Sequence, residues 1–157
     1  MSIVLFRIDE RLIHGQVAHS WSAECKPTEL LVIDDEARND SLLEMTLEMA
    51  VPAGVKFVLL NTDEAVSYLK NNNKDKERIF IVVKSPRVPL KLLANNVTIP
   101  SINVGGMYYA KEKTKVSKTV YLSADDVNIF MQLKDYGIEA EVRTNPSDKQ
   151  INLYKLI

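Results

Sequence analysis

Residues 3–17, IVLFRIDERLIHGQV, decide the fold. The first six, IVLFRI, are mostly apolar and read as a strand. They run through the polar segment DER into HGQVAHSWSAE, which reads as a helix. The same unit recurs along the chain. ELLVID (29–34) leads to NDSLLEMTLEMA, VKFVLL (55–60) to NTDEAVSYLK, and RIFIVV (78–83) through KSPRVP to LKLLANN. SINVGG (101–106) ends in two glycines, KTVYLS (118–123) leads to ADDVNIFMQLKDYG, and EAEVRT (139–144) closes the series. Near-continuous apolar strands are buried on both faces, and strands alternating with helices form parallel sheets. The pattern therefore predicts one α/β domain over 1–157, doubly wound, with a mainly parallel sheet of about seven strands and helices on both faces. The alternation in 139–144 predicts one wet face and places that last strand at an edge.

Local signals punctuate these elements. Ser41 and Glu44, Asn61 and Glu64, and Ser123 and Asp126 each stand at capping-box spacing. Pro52 ends the second helical pattern, and Gly137 suits a left-handed C-terminal cap. KNNNKDKER (70–78) reads as an exposed loop.

Composition excludes several classes. The 157 residues carry a net charge of −1, which gives no global case for nucleic acid or an anionic membrane surface. Cys25 stands alone, so no internal disulfide or multi-cysteine metal site forms, and a reducing, cytoplasmic setting is expected. The apolar start is too short for a secretory signal, and no stretch approaches the roughly 18–20 apolar residues of a membrane span.

In a doubly wound sheet the loops after parallel strands emerge on one side, where ligands bind. DERLIHG, DDEAR, KSPR and GGMYY therefore belong to one candidate surface. His14, at the start of the first helix, stands where unpaired amides and partial positive charge favour an anion. Arg11 is in the same loop, and its guanidinium matches phosphate oxygens. A neutral imidazole can act as a nucleophile, so His14 reads as a candidate phosphoryl carrier, or as a cap or partner of Asp9. Asp9 can fix the ring tautomer or orient Arg11. His19 lies about 140° round the helix from His14 and makes no metal pair with it; it reads as a surface or interface residue. Trp21 reads as packing. Gly105 and Gly106 read as a tight turn or as close backbone approach to an anion. Lys84, Ser85 and Arg87 read as a solvated loop or as a basic rim. Asp34, Asp35 and Glu36 do not fit a phospho-accepting receiver domain, because the acidic pair follows the second strand and Asn61 follows the third.

RIDERLIHGQV resembles the active-site segment of the enzyme IIB components of the mannose/fructose/sorbose family of the bacterial sugar phosphotransferase system. DDEARNDSLLEMTLEMAVPAGVKF, INVGGMYY and SKTVYLS resemble later segments of that family, in the same order. The resemblance implies a mixed, mainly parallel sheet with helices on both faces. It implies a protein-N(π)-phosphohistidine–sugar phosphotransferase in the cytoplasm, brought to the inner membrane face by its partners. A phosphohistidine on a IIA protein or domain donates, His14 accepts, and the group passes to a sugar imported through the membrane IIC and IID subunits. Arg11 then stabilises phosphoryl charge, and Asp9 and Gln16 belong to the same segment. Lys84, Ser85, Arg87, Gly105, Gly106, Met107 and Tyr108 form the rim and part of the donor-docking face. No cofactor, metal or nucleic acid is implied. The chain stops at Ile157, so the donor is expected to be separate. Glu10 stands where many relatives carry aspartate, and His19 where many carry a small or polar residue. Two rivals are weaker. A phosphohistidine phosphatase or mutase commonly reads Arg-His-Gly, whereas Arg11 here is three residues ahead of His14. A non-catalytic binding module would keep the fold without phosphorylation.

Overall fold

The structure is a computed structural model that describes residues 1–71 and 75–157. Its strands are β1 (Ser2–Asp9), β2 (Glu29–Ile33), β3 (Lys56–Leu60), β4 (Arg78–Val83), β5 (Ile102–Gly106), β6 (Thr114–Lys115), β7 (Tyr121–Leu122), β8 (Ala140–Val142) and β9 (Ile151–Asn152). Its α-helices are α1 (Gly15–Cys25), α2 (Asp35–Arg38), α3 (Ser41–Met49), α4 (Thr62–Lys70), α5 (Arg87–Ala94) and α6 (Ala124–Asp135). Seven strands form the main sheet in the order β3-β2-β4-β1-β5-β8-β9. All its pairings are parallel except β8 with β9.

The continuous apolar runs serve two cores. Leu31, Ile33, Phe6, Ile8, Ile79 and Ile81 point to the face covered by α4, α5 and α6. Leu30, Val32, Leu5, Phe80 and Val82 point to the face covered by α1, α2 and α3. Period-two alternation along each strand separates the two sets. Each fully buried side chain of this size contributes about 1.5–3 kcal/mol. Both layers are thus held by side chains that are 0–9% exposed.

The capping signals at Asn61–Glu64 and Ser123–Asp126 form complete capping boxes. Gly137, at φ +80, follows the C-cap of α6 in the left-handed region. At α3 the cap is one residue earlier than the spacing suggests: Asp40 accepts from the Leu43 amide, and Ser41 is already helical. Aspartate and serine are equally good caps, so spacing alone does not choose between them.

Two strand expectations are corrected. Residues 118–123 do not join the main sheet; Tyr121–Leu122 pairs antiparallel with Thr114–Lys115 in a separate ribbon. The strand expected over 139–144 is β8, and it is not the edge. The short β9 pairs antiparallel along its outer side and is itself the last strand and the edge. Of the loop expected over 70–78, residues 72–74 lie outside the described residues.

The sheet order positions the site. The chain leaves β1 toward β2 on one side, and leaves β4 toward β5 on the other, and β1 and β4 are neighbours. Their carboxyl ends therefore flank the topological switch point, where sheets of this kind hold ligands.

Candidate active site at the end of the first strand

A tight turn carries the chain from β1 to α1. The Leu12 amide donates to the Asp9 carbonyl at 2.9 Å, and Leu12 takes a left-handed φ of +61. Such a conformation in a branched residue costs on the order of 1–3 kcal/mol and clusters at functional sites. Leu12 and Ile13 are buried and hold the turn down. His14 then falls at the N-cap of α1 without capping it, and Gly15 follows at φ +30. The His14 side chain does not cap this helix start, so the positive end of α1 opens directly beside the residue that carries the imidazole.

Asp9 is the centre of the constellation. Its carboxylate is fully buried. Oδ2 accepts from Arg7 Nη2 at 3.0 Å and from Arg11 Nη2 at 3.2 Å, and lies 3.1 Å from His14 Nε2. Oδ1 accepts from the Arg11 amide at 3.0 Å and Arg11 Nε at 3.3 Å. Asp9 thus both touches the imidazole and orients Arg11. Burial alone would raise the Asp9 pKa. The bonds from Arg11, the charge of Arg7 and the contact with His14 outweigh it and hold the carboxyl below the ordinary aspartate value. The linkage has a definite sign. A depressed folded pKa stabilises the fold above the unfolded value, near 3.8, and that stabilisation is lost as pH falls through the folded value. Asp9→Asn is expected to flatten the acid-side fall in urea stability below about pH 4. Equal slopes in both proteins would count against it.

Arg11 is partly exposed, and its guanidinium carbon lies 5.4 Å from the Tyr108 ring centroid. Burial, and then the Asp9 charge, push the Tyr108 phenol up. Glu10 ties this loop to the one after β5. Its Oε2 accepts from the Tyr108 amide at 2.9 Å and its Oε1 from Lys113 Nζ at 3.2 Å.

Arg7 escapes a reading by motif. It is 1% exposed in the middle of β1, on the α1 face with Leu5 and Asp9. Nη1 donates to Asn103 Oδ1 at 2.6 Å and to the Arg143 carbonyl at 3.2 Å. The available signal is a charged residue inside an otherwise apolar strand. Trp21 is buried, as read, but also stacks on Arg7 at 5.6 Å and on Arg143 at 4.9 Å, centroid to guanidinium carbon.

The rim expectations divide. Gly105 and Gly106 lie within β5 with negative φ and form no tight turn. A Cβ on Gly105 would fall 2.0 Å from Arg7 Nη2, so the missing side chain makes room for arginine and not for an anion. The register slips here, with Ile8 opposite Val104 and Asp9 opposite Gly106, a bulge of the kind found beside active sites. Met107 is not on the rim. It is 2% exposed, its amide donates to the Thr119 carbonyl and its carbonyl accepts from Tyr121. Lys84 is a neighbour by strand order, but its Nζ lies 3.6 Å from Asp34 and 3.7 Å from Glu36. Arg87 pairs with Asp125, and the Ser85 hydroxyl accepts from the Arg87 amide. Ser85 and Arg87 line a groove with Asp34, Asp35 and Thr62, and the charges of Lys84 and Arg87 are already matched by carboxylates. Gln16 and His19 are exposed on α1.

Among the described residues no cluster of histidine, cysteine and carboxylates is arranged to hold a metal ion, and no helix is long and apolar enough to cross a membrane.

Comparison with known proteins covers nearly the whole chain. Residues 3–157 match the family model for the PTS system sorbose subfamily IIB component. The sorbose-specific EIIB component of Lacticaseibacillus casei is 32% identical over 94% of this chain and 90% of its own. The N-acetylgalactosamine-specific enzyme IIB component 2 of Escherichia coli K12 is 35% identical over 99% of both chains. The mannose-specific EIIAB component of Escherichia coli K12 is 34% identical over all of this chain and 49% of its own. The crystal structure of the IIBSor domain of the Klebsiella pneumoniae sorbose permease superposes with a TM-score of 0.95 at 31% identity, over 99% of this chain and 96% of that one. The chain belongs to the sorbose subfamily of IIB components of the sugar phosphotransferase system.

Proposed function

We propose that His14 is the phosphoryl carrier of this IIB component and that Nδ1 is the attacking nitrogen. One observation carries the reading: Nε2 faces the buried Asp9 carboxylate at 3.1 Å, at the uncapped start of α1. With the ring proton on Nε2 and bonded to Asp9, the lone pair of a neutral imidazole is on Nδ1. As Nδ1 takes the phosphoryl group, the ring becomes cationic, and the Asp9 charge stabilises it. Nδ1–P forms while the N–P bond of the donor histidine breaks. In the second step a sugar hydroxyl attacks phosphorus, Nδ1–P breaks, and the hydroxyl proton is released.

Arg11 and the first amides of α1 stabilise the equatorial oxygens. Arg11 is half-exposed and bound to Asp9, so it can turn outward without leaving the site. The donor is a phosphohistidine on a IIA protein or domain. The mannose-specific EIIAB relative, whose name joins an A and a B unit, supports that pairing. The acceptor is a sugar presented by membrane IIC and IID subunits, with this component on their cytoplasmic side. No metal enters the scheme.

The test is incubation with a phosphorylated IIA donor, followed by intact mass and peptide mapping. One acid-labile, base-stable phosphoryl group on His14 is expected. A group on another residue, or none from a donor that loads a known acceptor, overturns the assignment.

A further inference from the structure

The sole tryptophan of the chain lies against two arginines. Trp21 is on α1, about two turns beyond His14. The guanidinium carbon of Arg7 lies 5.6 Å from its ring centroid and that of Arg143 4.9 Å. The indole Nε1 donates to the Thr144 carbonyl at 2.9 Å. Arg143 is held in turn, with Nη2 donating to Glu141 at 2.9 Å and Nη1 to the Pro146 carbonyl at 3.0 Å. The segment after β8 therefore grips α1 through its indole and grips Arg7 through the Arg143 carbonyl.

We infer that Trp21 and Arg143 are positioning residues for phosphoryl transfer, acting through Arg7 and Asp9 on the His14 ring. This rests on His14 being the carrier. Two guanidinium groups repel one another, and the negative potential over an indole ring attracts each of them and offsets that repulsion. Arg7 is thereby held with Nη2 on Asp9 Oδ2, the same oxygen that meets His14 Nε2. If Arg143 is removed, Trp21 loses a cation against its ring and Glu141 loses its ion-pair partner. Arg7, Asp9 and the imidazole then lose their fixed relation. A displacement of about 1 Å at reacting atoms can lower a rate 10²-fold. Arg143 makes no contact with Arg11, Tyr108 or Gln16 among the described bonds, so donor docking is left intact.

The experiment compares wild type, Arg143→Gln, Arg143→Lys and Trp21→Phe. Two quantities are read: the transfer rate against phospho-IIA concentration, and the ¹⁵N signature of the His14 ring. Arg143→Gln is expected to lower the saturating rate about 10-fold, by analogy with outer-shell losses at other sites, without raising KM. The ring signature is expected to move away from the Nε2-protonated tautomer, with melting close to wild type. Arg143→Lys is expected to recover part of the rate. If Arg143→Gln does not fold, Trp21→Phe, which keeps a ring but loses the bond to Thr144, must show the same pair of changes. A folded variant with wild-type saturating rate and wild-type ring signature overturns the inference, as does a change confined to KM. If wild type takes no phosphoryl group, the ring signature decides alone. A shift in Arg143→Gln then upholds the positioning of the His14 ring, while its role in transfer falls with the carrier reading.

Discussion

Asp9→Asn is expected to slow phosphoryl uptake by about three to four orders of magnitude, the scale seen when a carboxylate that fixes a catalytic imidazole becomes an amide. The carboxylate is acceptor-only and uses both oxygens. Oδ2 meets Arg7, Arg11 and His14, and Oδ1 meets the Arg11 amide and Nε. An amide cannot reproduce this in either orientation. With its nitrogen in the Oδ2 position, it directs hydrogens at two guanidinium groups and donates to His14 Nε2, which forces the ring proton onto Nδ1. With its nitrogen in the Oδ1 position, the Arg11 amide and Nε lose their acceptor. In both cases Arg7, 1% exposed, is left without its counter-charge. Breaking a buried pair in this way typically costs about 3–5 kcal/mol. Single-turnover quench-flow with phospho-IIA, at a temperature where both proteins are folded, measures the first effect, and urea unfolding the second. A rate within tenfold of wild type would remove Asp9 from the mechanism.

The legible parts of this molecule are those governed by local periodicity. Five strands and the helices α1, α3, α4 and α5 follow from apolar runs that are long enough to count, and RIDERLIHGQV places His14 at a helix start; the four-residue α2, in the DDEAR segment that reads as a loop, is too short to carry a period. The far edge was not legible in the same way. β9 has two residues, too few to carry a period, and it is held by pairing with β8. Residues 118–123 have strand-like composition, but Val120 touches the main sheet only through a single bridge to Met107, so pattern alone assigns them to the wrong sheet. The pairing of the rim charges is hidden for another reason. Lys84 and Arg87 look free in sequence because their partners, Asp34, Glu36 and Asp125, come from other elements. The support beneath the site was the least legible. Arg7, Trp21, Asn103 and Arg143 are brought together only by the order β1-β5-β8, and no spacing in the sequence announces it.

Gly105→Ala tests that support directly. A Cβ there would lie 2.0 Å from Arg7 Nη2, 2.2 Å from Cζ and 2.5 Å from Nη1. A long side chain usually yields to such a clash by swinging its tip aside. Here the tip is fixed on three sides, by Asp9 at 3.0 Å, by Asn103 at 2.6 Å and by the Trp21 ring. Nor can the strand move easily, since β5 is buried and paired to both β1 and β8. The added methyl therefore expels the guanidinium from its pair with Asp9, and a loss of about 3–5 kcal/mol of stability is expected. The transfer rate is expected to fall about 10²-fold in protein that remains folded, because Asp9 loses its fixed position against His14. A double-mutant cycle separates this from a general intolerance of bulk in β5. In an Arg7→Met background the fixed guanidinium is gone, so Gly105→Ala should add little to the damage already done. The coupling between the two positions should then reach the upper part of the usual 0.5–3 kcal/mol range in urea unfolding. Additive effects would mean that Gly105 is required by its own strand and not by the arginine beneath it.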